Sequence, residues 1–479
     1  MKRLVVILVV VVPLFSNCMV GPEYSKPSAP MTPAYKESVP DTDPAVDSWK
    51  VAQPGDQMHR GNWWEIFGDP QLNALEEQVT VDNQDLKAAE AHFREARAIV
   101  SFNRSFQFPT ISTAPSIASI RDSLHKPYAV STMTTGDFIL PFDLSYELDL
   151  WGRVRRTVAA ARKEAQATDA DLEGVSLSLH SELALDYFEL RSADAQKKLL
   201  DDTVKADTES LELTTNRFQG GVAPKSDVAQ AQTQLNTVSV QATDILVQRA
   251  QFEHAIAVLV GKPPAAFSLP PAPLDLTPPT VPAGLPSELL ERRPDIAAAE
   301  RRVAEANEQI GIARAAFFPT VTLNASAGFE GTSITNWLTW PSRFWSVGPS
   351  VLQTLFDAGR RRATSDAALA NYDTAVAQYR QTTLTAFQQV EDNLVALHIL
   401  AQEGEQQQQA VASAQESLQL FTNRYKGGVD NYLQVVTAQT IALTNDRNNV
   451  DILRRRLEAS LLLIKALGGG WNVSNLPQF

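Results

Sequence analysis

The chain has 479 residues, a formal net charge of -13 and a hydrophobic share of 44%, which allows two or three ordinary domains. The acidic balance argues against nucleic acid as the main partner, because phosphate binding needs a basic surface. No stretch after residue 20 reaches the roughly 18 apolar residues that a membrane-spanning helix requires.

Residues 1–17 are predicted to be a secretory signal peptide. Lys2 and Arg3 are followed by a short apolar run, which is the usual order of such a segment. Cys18, the only cysteine of the chain, follows directly, and we expect it to carry a lipid anchor. The alternative is cleavage by the general signal peptidase, with Cys18 incidental. The rest of the chain contains no cysteine, which excludes disulfides and cysteine-based metal sites there.

A long internal repeat follows. The heptapeptide Asn-Arg-Phe-Gln-Gly-Gly-Val of 216–222 recurs as Asn-Arg-Tyr-Lys-Gly-Gly-Val at 423–429, an offset of 207 residues (423 − 216). Upstream, Phe-Pro-Thr at 108–110 recurs at 318–320, an offset of 210 residues (318 − 108). A period near half the chain is too long for a solenoid. We therefore predict two similar units side by side in one architecture.

Composition sets the boundaries of these units. Residues 18–62 are rich in Pro, Ser, Thr and Asp and predict an extended leader. The first unit is expected at 63–262 and the second at 287–470. A Pro-rich linker at 263–286 separates them, and a tail of residues 471–479 ends the chain.

Each unit is predicted to open with a helix whose apolar residues recur in heptads. In the first unit the seven-residue spacing falls on Leu72, Val79, Leu86, Phe93 and Val100. In the second unit spacings of three and four alternate over Ile296, Ala299, Val303, Ala306, Ile310, Ala313 and Phe317. Taken alone, these seams also fit an ordinary soluble helix hairpin.

Helices of unusual length follow in both units. The pattern is helical from Arg153 to about Asn216 and returns to about Val260 after the Gly-Gly pair; it repeats from Arg360 to Tyr425 and from Tyr432 to Leu467. The first of these helices would be on the order of 95 Å long. Helices of that length cannot surround one compact core, so they must align with one another as a coiled coil or tube.

Between the opening helix and the long helices, each unit changes to a period of two. From Thr320 to Glu330, apolar residues lie on one face and polar residues on the other, and 137–148 behaves in the same way. Weaker candidates near 110–121 and 343–356 complete hairpins at about 110–150 and 319–356. Such segments are typical of outer-membrane barrel strands; a half-buried sheet in a soluble protein is the alternative.

Four strands in one chain cannot close a membrane barrel, which needs about eight or more. An open sheet edge cannot lie in lipid either, since its backbone groups would lack partners. If the strands span a bilayer, several chains must share one barrel, and the same symmetry would bundle the long helices into a hollow cylinder.

Taken together, these features resemble the outer-membrane efflux duct family, in its lipoprotein branch. The resemblance covers nearly all of the chain after the signal peptide. Its carriers are Cys-Met-Val-Gly-Pro-Glu-Tyr at 18–24, Trp-Trp at 63–64, Phe-Gly-Asp-Pro at 67–70, the two Phe-Pro-Thr sites, Glu-Leu-Asp-Leu-Trp-Gly-Arg at 147–153, Glu-Arg-Arg-Pro-Asp-Ile at 291–296 and the segment 424–433. The family's lipid-attachment box usually has Leu, and Gly or Ala, where this chain has Phe15 and Asn17.

The resemblance implies an α+β membrane protein that forms a homotrimer in the outer membrane of a Gram-negative bacterium. Four strands from each of three chains would form a twelve-stranded β-barrel. A long α-helical barrel would continue it through the periplasm, with an equatorial belt from leader, linker and tail. The implied function is the passive exit duct of a tripartite efflux system, with a periplasmic adaptor and an inner-membrane pump of the RND type as partners and outer-membrane lipid around the barrel. The expected cargo is drugs or other small toxic compounds.

The two Gly-Gly pairs are expected to end long helices in the left-handed conformation and to begin a tight return. They comprise Gly220, Gly221, Gly427 and Gly428. In similar proteins these turns form the far tip of the helical barrel, where the pore closes and the adaptor binds. The resemblance therefore implies contact or gating roles for Arg217, Phe218, Arg424 and Tyr425.

Asp430 is the strongest candidate for a gate. A threefold axis would turn it into a ring of three carboxylates, which favours cations at a constriction. The alternative is that Asp430 or Asn431 caps the next helix. Asp227, near the turn of the first unit, is a weaker candidate.

Three tryptophans, Trp337, Trp340 and Trp345, cluster beside the last strand. They are expected to form an interfacial aromatic belt or to pack a loop. The six histidines are scattered without metal-site spacing. Phosphate-binding loops, dinucleotide fingerprints and nucleophile elbows are not recognisable in the sequence, so no cofactor and no enzymatic activity are predicted.

Two other functions remain open at this point. A duct for type I protein secretion belongs to the same class, since the pump chooses the cargo. A periplasmic coiled-coil scaffold without a pore belongs to another class, and the period-two segments argue against it. An envelope hydrolase would need a convergent acid–base site, which the sequence does not reveal.

Overall fold

The structure, a computed structural model, covers most of the chain after the leader. It describes residues 19–30, 32, 34–37, 62–121, 123, 125, 134–279, 281 and 292–470. The predicted signal peptide, Cys18, most of the leader and the tail 471–479 lie outside these residues.

The described part of the first half contains four α-helices and three strands of a sheet. After a 3₁₀ turn at Trp63–Phe67 come α1 (Pro70–Asp82), α2 (Gln84–Ser105), β1 (Thr110–Ser112), β2 (Ser116–Ile120), β3 (Thr135–Glu147), α3 (Arg153–Gln219) and α4 (Lys225–Leu259). The second half contributes α5 (Pro294–Ala315), β4 (Thr320–Gly331), a 3₁₀ turn at Trp340–Ser342, β5 (Arg343–Leu352), α6 (Arg360–Lys426) and α7 (Tyr432–Ala466).

The long helices are confirmed. Helices α3 and α6 have 67 residues each, and α4 and α7 have 35 residues each. Helices α3 and α4 form one antiparallel hairpin, α6 and α7 form the other, and α3 also packs against α2, α5 and α7. None of the helices in the described ranges is both long and apolar enough to cross a membrane.

The opening helix of the first unit, predicted as one seam, is instead two helices. Asn83 has extended backbone (ψ 130) and interrupts the seam between α1 and α2. Its side-chain oxygen accepts a hydrogen bond from the amide of Leu86, while its amide nitrogen donates to the carbonyl of Leu259. The capping bond starts a new helix, and the second bond ties the break to the end of α4.

The largest apolar core lies where α1 packs against the middle of α3 and the C-terminal ends of α4 and α7. Its fully buried members include Leu72, Leu183, Phe188, Ile256 and Leu457. The predicted linker contributes to it, since Leu269, Leu274 and Val281 are buried there. In its described part the linker is irregular apart from a 3₁₀ turn at Pro264–Ala266.

The period-two segments form one antiparallel sheet in the order β1–β3–β4–β5, with β2 also paired to β3. Residues 113–115 interrupt the first strand between β1 and β2. Pro115 cannot donate a ladder hydrogen bond there, and the hydroxyl of Thr113 donates to the carbonyl of Pro141 at 2.6 Å. Within the described residues, β1 with β2 forms one open edge and β5 forms the other.

Pairing register gives this sheet two chemically distinct faces, as the alternation predicts. On β4, Ala325 pairs with Leu144 and Val347, and Ala327 pairs with Phe142 and Trp345. Directly paired residues share a face of the sheet, so these side chains form an apolar face. The opposite face is polar at its centre, with Asp143, Ser145, Asn324, Ser326 and Ser346.

Candidate functional site

Both long hairpins turn through the same backbone motif. At the first turn the amide of Val222 donates to the carbonyl of Arg217, and the amide of Gly221 donates to that of Phe218. The second turn repeats these bonds between 424 and 429. This is the Schellman arrangement, in which one residue past the helix end adopts the left-handed conformation.

Only the second glycine of each pair requires that conformation. Gly221 has φ 74 and Gly428 has φ 75, whereas Gly220 and Gly427 are right-handed, with φ -75 and φ -74. One glycine of each pair therefore adopts the left-handed conformation expected after a long helix.

Replacing Gly221 by Ala is expected to destabilise the first turn by about 1–2 kcal/mol, because L-residues are strained in the left-handed region. Nothing lies within 4 Å of a Cβ built there, so the cost is conformational and not steric. Gly220→Ala is the matched control and should be close to neutral, since its φ suits alanine. Thermal unfolding followed by circular dichroism compares the two; equal losses would contradict the assignment.

Arg217 joins the two hairpins beside these turns. Its Nη1 donates to the carbonyl oxygen of Lys426 at 3.0 Å, and its guanidinium carbon lies 4.9 Å from the centre of the Tyr425 ring. The ring of Tyr425 meets that of Tyr432 edge-on at 5.1 Å. Both tyrosines are buried. A residue of the first hairpin thus holds the end of the second through a hydrogen bond and a cation–π contact.

Asp430, the expected gate residue, is not a free carboxylate. It forms an ion pair with Arg424 of its own turn. Its two carboxylate oxygens accept from Arg424 Nε at 2.6 Å and Nη2 at 3.0 Å. These bonds hold the pKa of Asp430 below its ordinary value. Asn431 stands at the N-cap of α7 without a side-chain capping bond, so the cap interpretation fails for Asn431. Phe218 is exposed at the first turn.

Asp227 lies buried at the start of α4, close to the second hairpin. Burial raises the pKa of the Tyr425 phenol, and the nearby Asp227 carboxylate raises it further. The four residues Arg217, Asp227, Tyr425 and Tyr432 therefore form one polar cluster between the two hairpins.

Asp207, which the sequence reasoning missed, lies on α3 further from the turn. It is 1% exposed, and both carboxylate oxygens are buried without a hydrogen-bond partner in the described structure. Desolvation raises its pKa to about 6. It acts electrostatically on Tyr432 of α7 across the contact between the hairpins. The sequence contained a signal, because Leu200, Asp207 and Thr214 are spaced seven residues apart. All three are buried in the structure, so the acid occupies a core-facing heptad position.

Replacing Asp207 by Asn is expected to stabilise the folded protein at neutral pH by on the order of 1–2 kcal/mol per chain. The folded pKa is about 6 and the ordinary value 3.8. The cost of burying the charge is therefore absent below about pH 4, grows through the window between these values and is complete above about pH 6. Melting temperatures of both proteins across this range test it, with exposed Asp202→Asn as control; parallel curves for wild type and Asp207→Asn would refute it.

A second buried titratable pair lies away from the turns, between α1 and α3. His180 Nδ1 is 2.6 Å from Glu76 Oε2, and Trp64 stacks on the imidazole at 4.4 Å. Burial lowers the pKa of His180 to about 4 and raises that of Glu76. Because both side chains are enclosed by the core, this geometry ties α1 to α3 and offers no access for a substrate.

The three tryptophans have separate environments. Trp337 packs inward, with its ring 5.7 Å from that of Phe138. Trp340 is exposed and lies under the guanidinium of Arg343 at 3.7 Å. Trp345 is exposed on the apolar face of the sheet. Loop packing therefore describes Trp337, and an interfacial role for Trp340 and Trp345 stays a prediction.

The described leader begins at the junction of sheet and helices. The amide of Val20 donates to the carbonyl of Trp151 at 3.1 Å, and Met19 packs against Gly152. Further along, Tyr24 donates to Glu300, and the amides of Lys36 and Glu37 donate to Glu391. The leader thus runs from the base of the sheet along the helices, which puts residue 19 beside the first turn of α3.

Comparison with known proteins gives consistent matches over most of the chain. The sequence model of a family described as outer membrane efflux protein matches residues 75–262 and 285–469. The toluene efflux pump outer membrane protein TtgF of Pseudomonas putida is 32% identical over 468 residues, which cover 96% of each chain. Outer membrane protein OprJ of Pseudomonas aeruginosa is 30% identical, covering 95% of this chain and 93% of its own. The solved outer-membrane channel OprN superposes with a TM-score of 0.85 at 30% identity, covering 95% of this chain and all of its own.

Proposed function

Because the chain belongs to the outer membrane efflux protein family, we propose that it is the exit duct of a tripartite efflux system, passively exporting small toxic compounds. One observation carries the proposal: a sheet with one apolar and one polar face continues directly into helices of 67 residues. Such a sheet suits lipid on one side and water on the other. The helices, on the order of 100 Å long, suit a tube across the periplasm.

The sheet supports assembly from three chains. Its two edges, β1 with β2 and β5, present backbone groups without partners in the described structure. Lipid would leave these groups unsatisfied, so the edges must meet those of other copies. Three copies would give twelve strands, if the interrupted β1–β2 is counted as one, and would close the barrel.

The polar cluster between the hairpins supports a closed tip. Arg217, Asp227 and Tyr425 join the end of one hairpin to the other, and opening of the duct would separate them. The turns on either side expose Phe218, Val222, Val429 and Leu433, an apolar rim suited to a periplasmic adaptor. An inner-membrane pump, of the RND type by the family resemblance, would deliver the cargo through that adaptor.

A lipid anchor at Cys18 is also part of the proposal. Met19 lies at the base of the sheet, so an acylated Cys18 would be next to the membrane surface if the sheet spans the bilayer. Growth with a clickable palmitate analogue is expected to label the wild type and not Cys18→Ser, at equal protein levels. Label retained in the variant would remove the anchor from Cys18.

Deletion of the gene tests the function directly. Growth is measured against antibiotics, dyes, detergents and an organic solvent, with the wild-type gene returned on a plasmid. The expected result is several-fold greater sensitivity to apolar small molecules, restored by the plasmid. Unchanged sensitivity with loss of a secreted protein would favour type I secretion instead. Release of the protein from membranes by salt, without detergent, would favour the pore-free scaffold.

A further inference from the structure

Exposed large apolar side chains flank the two open edges of the sheet where it joins the helices. Leu355 and Phe356, which follow β5, are 90% and 86% exposed. Phe102, Phe106 and Phe108, which precede β1, are exposed as well. Contiguous exposed apolar groups of this kind mark surfaces that another molecule covers.

Both groups lie at the same end of the sheet. The last residue of β5, Leu352, pairs with Thr320 at the start of β4. The first residue of β1, Thr110, pairs with Ser145 near the end of β3. Both therefore stand at the end where β3 passes into α3 and α5 passes into β4, although on opposite edges of a single chain.

The middle of the sheet shows how such a junction packs when both sides are present. Trp151 follows β3, and Phe318 precedes β4. Their rings stack at 4.8 Å with an interplanar angle of 26°, and Trp151 Nε1 donates to the carbonyl of Pro319 at 2.7 Å. An aromatic residue after one strand thus covers an aromatic residue before the next.

Phe108 is the counterpart of Phe318 in the first unit, at the offset of 210 residues. Phe318, with its stacking partner, is 38% exposed, whereas Phe108 is 61% exposed. The strand that would neighbour Phe108 in a closed barrel is β5 of another copy. Leu355 and Phe356, a few residues after β5, are the most exposed large hydrophobic side chains in the described structure.

We propose that Leu355 and Phe356 of one copy pack against Phe108 of the next copy, forming an aromatic contact that joins adjacent chains below the barrel. The proposal rests on the closed multi-chain barrel proposed above. The partner at this surface is a second copy of the chain, because the equivalent junction inside the chain is covered by protein and not by lipid. Phe102 and Phe106, whose rings meet edge-on at 5.1 Å, extend the surface along α2.

Cross-linking through a short bismaleimide tests the contact in outer membranes. The chain's only natural cysteine is Cys18, so Phe108→Cys with Phe356→Cys introduces the pair on a nearly clean background. Covalent dimers and trimers are expected on denaturing gels from the double variant and from neither single variant. The matched control combines Phe108→Cys with Ile334→Cys. Ile334 is also highly exposed, at 71%, but lies past the far end of β4.

Native mass spectrometry of the uncross-linked sample separates the two proposals. A trimer without cross-links overturns the contact and leaves the barrel standing, and labelling of Phe356→Cys by a lipid-soluble maleimide would assign that side chain to the bilayer. A monomer would overturn the barrel itself. If the cysteine pair impairs assembly, the contact is tested instead by the rates at which trimers dissociate into single chains. These rates are compared for Phe108→Ala, Phe356→Ala and the double alanine variant. Mutual contact predicts a double variant no faster than the worse single one, whereas multiplied rates contradict it.

Discussion

Replacing Ala327 by Arg is expected to abolish assembly in the outer membrane, whereas replacing its neighbour Ser326 by Arg is expected to be tolerated. Ala327 lies in the middle of the apolar face, paired with Phe142 and Trp345. Ser326 lies on the opposite face, paired with Asp143 and Ser346. A cation on the lipid face costs about 2–4 kcal/mol near the bilayer midplane, so three copies would cost roughly 6–12 kcal/mol.

Both variants place the same side chain at adjacent positions of one strand. They therefore differ mainly in the face of the sheet that carries the arginine. Heat-modifiable trimers on gels, together with outer-membrane fractionation, measure assembly. Loss of both variants would indicate a packed interior on each face, and survival of both would show that neither face meets lipid. Reversal of the pattern would place lipid on the polar side.

Replacing Arg217 by Ala is expected to open the closed tip, and Asp430→Ala is expected to do so far less. Arg217 connects the two hairpins through Lys426 and Tyr425. Removing a hydrogen bond and a cation–π contact weakens this connection by about 1–2.5 kcal/mol per chain, or roughly 3–7.5 kcal/mol per trimer. Among the described residues, the side chain of Asp430 bonds only Arg424, within its own turn, so its loss leaves the contact between hairpins intact.

Single-channel conductance in planar bilayers measures the difference. Arg217→Ala should show larger or more frequent openings than the wild type, at all voltages and without an adaptor. Arg217→Lys keeps the charge but loses the planar stacking group. Its conductance should lie between those of the wild type and Arg217→Ala. If Asp430→Ala opens the pore as widely as Arg217→Ala, the exposed ion pair and not the contact between hairpins holds the tip.

The helix ends and strands could be predicted from the sequence, because each depends on residues close to one another in the chain. Gly221 and Gly428 end their helices because a left-handed residue is needed there, and that need is visible in the residue type itself. The strands were visible because a sheet with unlike faces imposes alternation on residues such as Ala325 and Ser326. The break at Asn83 was not visible, since the heptad spacing continues across it and the deciding bond reaches Leu259, far away in the sequence.

The contact at the turns shows a different limit. Arg217 and Arg424 occupy equivalent positions in the repeat, yet their roles differ. The residue equivalent to Asp430 in the first turn is Ala223 (430 − 207). Without an acid in its own turn, Arg217 reaches across to the second hairpin, while Arg424 is held by Asp430. The repeat made the residues comparable, but only the spatial neighbourhood of the two turns showed which arginine joins them.

The equal lengths of paired helices have a mechanical consequence. Helices α3 and α6 have 67 residues each, α4 and α7 have 35 each, and the two turns are in contact through Arg217 and Lys426. In the proposed duct, both turns would therefore end at the same level at the mouth of the tube. A heptad inserted into one hairpin alone would add roughly 10 Å to one side and leave a stepped mouth that a ring-shaped partner could not seal. Only a change shared by all four helices keeps the mouth level. The length of the proposed duct can therefore change only if all four helices lengthen or shorten by the same number of residues.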